Sequence, residues 1–308
     1  MDDKFNGTYI TIDGYVELHK YKYLYFLILF AVYVFIICSN STIVYLIWFH
    51  QNLHEPMYIF IAALSVNSVL FSTVVYPKFF IDILSERQII SYSACLFQFL
   101  MYYSLGASEF LLLSAMAYDR YVSICKPLQY PTIMSKRTIN IFIGLAWFVP
   151  ACHLALTAAL NANQKHCSFT LKGIFCNNSI YKLHCETSRA LVVYGIVMLI
   201  DIVFIPVVFI LFTYTKILII TYKSSRDVRT KAAETCVPHL LVLFCFFCLC
   251  TYDTIIARLE LDFPNVVRLI MTLQVVLYNP LLNPIIYGLK MKEIYKHLKR
   301  LVIIRRDD

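Results

Sequence analysis

The chain has 308 residues, 60% of them apolar and 15% charged, with a mean hydropathy of +0.68 and a formal net charge of +8. A soluble core of that length fills with less apolar surface, so the composition excludes an ordinary soluble domain and asks for an apolar solvent. The positive charge falls in short segments between apolar runs, which argues against nucleic acid and for lipid headgroups and a cytosolic protein as partners.

The start, Met1-Asp2-Asp3-Lys4, lacks the basic start, short apolar segment and cleavage site of a signal peptide. The first long apolar run is therefore expected to act as an uncleaved anchor. A helix needs about 20 apolar residues to cross the hydrocarbon core. Runs free of Asp, Glu, Lys and Arg occur at Tyr23–Phe49, Pro56–Pro77, Gln88–Ser108, Thr138–Gln164, Thr235–Tyr252 and Leu269–Leu289. A further run, Ala190 to Thr215, is broken only by Asp201. These predict helices near 23–50, 57–84, 92–125, 139–160, 189–222, 233–258 and 265–288. The expected fold is an all-α membrane protein, a seven-transmembrane-helix bundle. Residues 1–22 form an N-terminal segment, 23–288 the membrane domain, and 289–308 an amphipathic helix and tail. No internal repeat interrupts the series.

Lysine and arginine set the expected orientation. With the N-terminus outside, the cytosolic segments hold 15 of the 27 basic residues and the other face 11, Arg120 lying at a helix end. Lys20 and Lys22 before the first helix oppose this locally, and residues 50–55 after it carry no base. The sequon Asn6-Gly7-Thr8 supports an external N-terminus as a glycosylation site. Asn40-Ser41-Thr42 lies within the first helix, and Asn177-Asn178-Ser179 in the fourth-to-fifth connection. Of eleven cysteines, Cys95 starts the third helix, and Cys167, Cys176 and Cys185 lie in that connection. Four cysteines on an oxidising face allow three connectivities. His184-Cys185-Glu186 offers metal-ligand types, but three adjacent loop residues cannot readily converge on one ion.

At the inner end of the third helix the chain reads Met116-Ala117-Tyr118-Asp119-Arg120-Tyr121-Val122-Ser123-Ile124-Cys125-Lys126-Pro127. A carboxylate beside a guanidinium at a membrane boundary can hold it in one geometry, and the guanidinium can later meet the carbonyls of a docking helix. An ion pair that merely anchors the helix fits the same residues. In the seventh helix, Asn283-Pro284-Ile285-Ile286-Tyr287 sets a proline kink beside two polar side chains. A static kink is the plainer reading, a movable switch the sharper one. Pro206, Tyr214 and Pro238 add hinge points in the fifth and sixth helices. After the seventh helix, apolar residues at Met291, Ile294, Tyr295, Leu298 and Leu301 follow helical spacing with bases opposite, as in a helix lying on a membrane surface.

Taken together, these motifs resemble the odorant receptors within the rhodopsin-like G-protein-coupled receptors. Pro56-Met57-Tyr58 resembles the opening of that family's second helix, and Tyr76-Pro77-Lys78 its end. Lys231-Ala232-Ala233-Glu234-Thr235-Cys236-Val237-Pro238-His239-Leu240 resembles the start of the sixth, with a Thr-Cys-Val-Pro-His variant similar to the fish branch. Asn279-Pro280-Leu281-Leu282-Asn283-Pro284-Ile285-Ile286-Tyr287-Gly288 resembles the end of the seventh. The resemblance covers nearly the whole chain.

It implies disulfides Cys95–Cys176 and Cys167–Cys185, and a plasma-membrane receptor that is not an enzyme. A small odorant would bind in the outer half of the bundle and activate a heterotrimeric G protein, of the stimulatory olfactory type that raises cyclic AMP. Asp119, Arg120, Tyr121, Tyr214, His239, Asn283, Pro284 and Tyr287 are the implied switch residues. The expected pocket is walled by Tyr102, Tyr103, Gly106 and Ala107, faced by Met198 and Ile202, and by Phe247, Thr251 and Thr254. The same side chains would serve equally as interhelical packing.

Two carboxylates, Glu109 and Asp201, are expected in the bilayer interior, where an ionisable group is a functional candidate by default. Glu109 resembles the buried glutamate of the family and is a candidate to hold a sodium ion or a proton, with Asn40 and Asn283. Ser68 stands where many such receptors have Asp, which removes one ligand charge. Asp201 is less expected from the family, and three roles stay open: a ligand contact, a bond to a neighbouring helix, or a place in a wet cavity. A transporter, the rival class, would be expected to show repeats in its two halves. No His-Glu-x-x-His or Gly-x-Ser-x-Gly supports a membrane enzyme.

Overall fold

The computed structural model describes residues 9–16, 18–161, 164–185, 188–222, 224–258 and 264–304. Among these, seven long helices form one bundle. They are α1 (Leu18–Phe49), α2 (Pro56–Leu84), α3 (Tyr92–Cys125), α4 (Lys136–Asn161), α5 (Arg189–Tyr222), α6 (Arg226–Arg258) and α7 (Asn265–Lys290). An eighth, α8 (Lys292–Ile304), follows α7 after a break at Met291. Six of the seven are long and apolar enough to cross a membrane by length and composition. α6 carries a shorter apolar stretch, Cys236–Thr251. Helices also begin earlier than the charge pattern suggests: α1 at Leu18 rather than 23, α4 at Lys136 rather than 139, and α6 at Arg226 rather than 233. Charged residues end the apolar run, but they do not end the helix.

Local chemistry accounts for several ends. Pro56 sits in the first turn of α2, where its missing N–H costs nothing. Ser91 caps α3, its hydroxyl accepting from the Ala94 amide at 3.3 Å. Within the helices, Ser68, Ser72, Ser108, Ser114 and Thr221 each donate to the carbonyl four residues back. That satisfies a hydroxyl where no water is available. The outward faces are apolar, with Phe35, Trp48, Phe97, Phe148, Phe204 and Phe212 each more than half exposed. In water such a surface would aggregate; in lipid it is the solvated face.

α3 is central, touching α2, α4, α5 and α6, while α7 packs on α1, α2 and α6. Asn67 joins three of these helices: its amide donates to the Leu105 carbonyl at 2.9 Å, and its oxygen accepts from Trp147 Nε1 at 3.3 Å. α5 is interrupted at Ile200–Phe204 by one wide, π-helical turn.

A small sheet covers one end of the bundle. β1 (Tyr9–Ile12) lies between β2 (Ile89–Ser91), antiparallel to it, and β3 (Thr170–Leu171), parallel to it. Nothing in the sequence reading anticipated these strands. Ile10 and Ile12 are buried in a cluster with Cys95, Phe99, Leu171, Cys176 and Leu183, so the N-terminal segment is part of the core at that end. Gly14 passes so close to the long connection that a Cβ there would sit 2.3 Å from the Gly173 carbonyl carbon. Gly14→Val is therefore expected to displace β1 and destabilise the fold by about 1–3 kcal/mol, read as a lower melting temperature of the detergent-purified protein.

Candidate functional site

Two disulfides brace the sheet end. Cys95 at the start of α3 is bonded to Cys176, and Cys167 to Cys185, with Cα separations of 5.3 and 4.8 Å. The first draws the connection across the bundle mouth and drives Phe175 inward, its ring 4.8 Å from Tyr102 and 6.3 Å from Phe79. Gln98 secures this placement, donating to the Val74 carbonyl and accepting from the Cys176 amide. The second disulfide closes a hairpin in which the Cys167 amide donates to Leu183 and the Cys185 amide to Lys165. His166 and His184 face each other across that hairpin, their ring centres 5.4 Å apart. Burial first, and His166 second, lower the pKa of His184 from its ordinary 6.5.

Below this roof lies a cavity of about 650 Å³, within the range of small-molecule sites. Tyr102, Tyr103, Gly106 and Ala107 of α3 line it, as do Met198 and Ile202 of α5. Tyr181, Lys182 and His184 of the connection give its roof polar groups, and Phe71 and Leu154 extend it toward α2 and α4. A Cβ on Gly106 would meet nothing within 4 Å. α6 presents Phe246, Leu249 and Cys250, not Phe247 and Thr251, which are exposed on its outer side. One residue is 100° of helix rotation, and α6 is apolar all round, so its sequence does not mark the inward face. The Thr254 side chain and Asn6 lie outside the described residues. Asp201 does not line the cavity; it is exposed on the outside of α5.

The cavity floor is polar. Asn279 reaches it and donates to Glu109 Oε2 at 2.6 Å, while Asn283 donates to Glu109 Oε1 at 3.1 Å and shares its amide with the Ser68 hydroxyl at 3.0 Å. Asn40 bonds to none of these groups. Its amide donates to the Ile36 and Pro280 carbonyls at 2.9 and 3.0 Å. The Pro280 carbonyl is the one that Pro284, four residues on and lacking an N–H, leaves without its helical donor. Asn40 is thus a splint across the α7 kink. Oxygens that could meet a cation are those of Glu109 and Ser68 and the amide oxygens of Asn40 and Asn283, neither of which has a partner among the described residues. Glu109→Gln keeps an acceptor for only one of the two amides, and Glu109→Leu for neither. Melting temperature should therefore fall in the order wild type, Gln, Leu, each unpaired donor costing about 1–3 kcal/mol.

At the other end, Arg120 pairs with Asp119 of its own helix at 2.5 Å, and Asp119 also accepts from the Tyr130 hydroxyl at 2.8 Å. Tyr130 sits in the short turn Tyr130–Ile133 after α3, which sequence reasoning passed over. Burial and then the Asp119 charge raise its pKa, which keeps the proton it donates. Tyr121 is half-buried beside Tyr118, and Tyr287 is buried with no hydroxyl partner among the described residues. His239 ties three helices together. Its Nε2 lies 2.9 Å from the Leu113 carbonyl, which can only accept, so the proton is on Nε2. Nδ1 therefore accepts from the Tyr214 hydroxyl at 2.5 Å. This latch fastens α6 to α3 and α5. Lys292 of α8 and Glu234 of α6, 2.7 Å apart, form a second, solvent-exposed link.

The family model for olfactory receptors matches residues 29–305. The chain belongs to the olfactory receptor family. The receptor is similar to the human olfactory receptor 11A1, 31% identical over 96% of this chain and 94% of the relative. It is 32% identical to human olfactory receptor 51E1 over the same shares, and 30% identical to human olfactory receptor 2T27 over 92% and 90%. The family is one of signalling receptors and not of enzymes.

The lowered pKa of His184 has a consequence for the receptor's roof. The hairpin keeps its full stability above pH 6.5, where the unfolded histidine is also neutral, and loses it as the pH falls toward the folded value. Hydrogen-exchange protection at the Cys167 and Cys185 amides, corrected for intrinsic rates, should drop over that window in wild type. It should not do so in His184→Phe.

Proposed function

We propose that the receptor sits in the plasma membrane with its sheet end outside, binds a small organic odorant in the cavity, and activates a stimulatory heterotrimeric G protein that raises cyclic AMP. The observation that carries this reading is a continuous contact from cavity to latch. Phe110 and Phe246 both line the cavity, and their rings meet 4.6 Å apart. One turn down α3 from Phe110 is Leu113, whose carbonyl holds His239; two turns along α6 from Phe246 is His239 itself. A ligand that moves Phe246 relative to Phe110 therefore acts on the lever that ends at the latch. Release of His239 lets α6 swing from α3, freeing Arg120 to meet the C-terminal helix of the G-protein α subunit. The ligand shifts this equilibrium only by its preference for the open state, typically about 1–3 kcal/mol.

Cyclic AMP measured in cells co-expressing the olfactory G protein, against a panel of water-soluble and volatile odorants, tests the reading. Surface staining of an N-terminal tag on intact cells tests the orientation. Wild type should respond to at least one compound, and Arg120→Ala should abolish the response at equal surface level. Gly106→Leu places a side chain in open space within the cavity, so it should fold normally yet weaken every active odorant by roughly a hundredfold or more. Full responses in both variants would contradict the assignment.

A further inference from the structure

The lining of the cavity sorts by chemistry along its length. Above the polar floor at Asn279 the walls are apolar and aromatic, with Phe71, Phe99, Phe246 and Leu249 among them. At the outer end polar groups gather under the connection: Asn178, Tyr181, Lys182 and His184, with Ser188 at the start of α5. Lys182 is the one formally charged residue on this lining among the described residues, and no described Asp or Glu lies on it. His184, its pKa below the ordinary 6.5, is neutral at neutral pH.

The fold holds that lysine in place. It belongs to the short turn Asn178–Leu183, which the Cys95–Cys176 disulfide draws over the cavity and the Asn178 amide fastens to the Tyr103 hydroxyl at 3.1 Å. Lys182 pairs with no carboxylate among the described residues. Ser188 makes no side-chain bond in capping α5, and Leu191 and Val192 of the first turn line the cavity. The N-terminal end of α5, which favours negative charge, therefore faces the same space. Glu109 does not offset this, because it lies beneath the floor with both oxygens held by Asn279 and Asn283. An amine entering here would give up hydration and meet a like charge. A carboxylate would meet an ammonium and hydroxyl donors.

We propose that the cavity selects organic acids, binding the carboxylate at the roof through Lys182 and laying an apolar tail between the aromatic walls toward Phe246. This rests on the reading of the cavity as the odorant site. Its α3 positions run from Phe99 to Phe110, about 16 Å of helix, which leaves room for a medium-length tail. Lys182 is exposed, so its ammonium stays partly hydrated. The tail then supplies most of the affinity, and the lysine chooses between head groups.

Ligand-observed saturation-transfer NMR on the purified full-length receptor in zwitterionic nanodiscs, with empty discs subtracted, tests this apart from signalling. The probes are hexanoic, octanoic and phenylpropanoic acids, each beside the alcohol and the amine of the same carbon skeleton. At neutral pH at least one acid should bind wild type about tenfold more tightly than its alcohol, and the amine no more tightly than the alcohol. Lys182→Gln, at an exposed position, should fold normally, bring that acid down to the level of its alcohol and leave the alcohol unchanged. Lys182→Arg should keep the preference. Asp253, whose side chain lies outside the described residues, is the control of opposite sign, and Asp253→Asn should leave the preference in place. Gly106→Leu should remove acid and alcohol binding alike, as the cavity site requires. No binding by any acid, an amine binding as tightly as its acid, or a preference that survives Lys182→Gln would overturn the proposal. The predicted pattern without any rise in cyclic AMP would uphold the ligand class and count against the signalling reading instead.

Discussion

The Glu109 carboxylate, buried at the centre of the bundle, fixes how α3 and α7 can lie. In hydrocarbon no water can finish an incomplete set of hydrogen bonds, so both of its oxygens need donors from the protein. α7 supplies them from Asn279 and Asn283, one turn apart on a single face. The same constraint explains the splint at Asn40, where the proline that kinks α7 leaves the Pro280 carbonyl in need of a donor from α1. It also explains Asn67, which joins α2, α3 and α4 through one amide. Polar side chains here hold helices in register, a task that lipid tails, as apolar as the helices themselves, cannot perform.

The network divides the bundle into two working halves. Above it, disulfides and the three-stranded sheet hold a roof over a cavity with aromatic walls. Below it, beside a large apolar core, the polar ties that hold Arg120 and α6 are breakable: an ion pair within α3, the His239 latch and an exposed Lys292–Glu234 link worth little in water. A braced recognition end over a response end whose α6 is held by a few exchangeable polar ties is what a two-state signalling element needs. The hydroxyl of Tyr287 and the oxygen of Asn283, both without a partner among the described residues, lie along α7 between those halves. They gain partners if α7 or water rearranges, which lowers the cost of leaving the latched state.

Much of this was legible in the residues. α3 and α5 have the bounds that charge and apolarity indicate, Tyr92–Cys125 and Arg189–Tyr222, because their ends coincide with polar breaks. Four α3 positions reach the cavity because one-turn spacing from Cys95 and Arg120 fixes α3's rotation; Met198 and Ile202 of α5 reach it as well. α6 has no such marker, and its inward face turned out one residue away, at Phe246 and Cys250. The strand Tyr9–Ile12 was illegible because its partners lie about 80 and 160 residues along the chain, and a short strand has no periodicity of its own to read. The splint at Asn40 was illegible for a related reason: it depends on a carbonyl 240 residues away that only the kink exposes. Tyr130 carried no signal until the turn after α3 brought its hydroxyl to Asp119.

The central claim is that α6 parts from α3 when the receptor couples to its G protein. Spin labels at Thr132, beside the end of α3, and at Arg229, at the start of α6, measure that separation by double electron–electron resonance in the purified receptor with its exposed cysteines replaced. A peptide of the stimulatory α subunit's C-terminal helix, bound to the receptor, should lengthen the distance by about 5 Å, the scale of such helix displacements. If the peptide binds and the distance distribution stays where it was, α6 is not the moving element and the account is wrong.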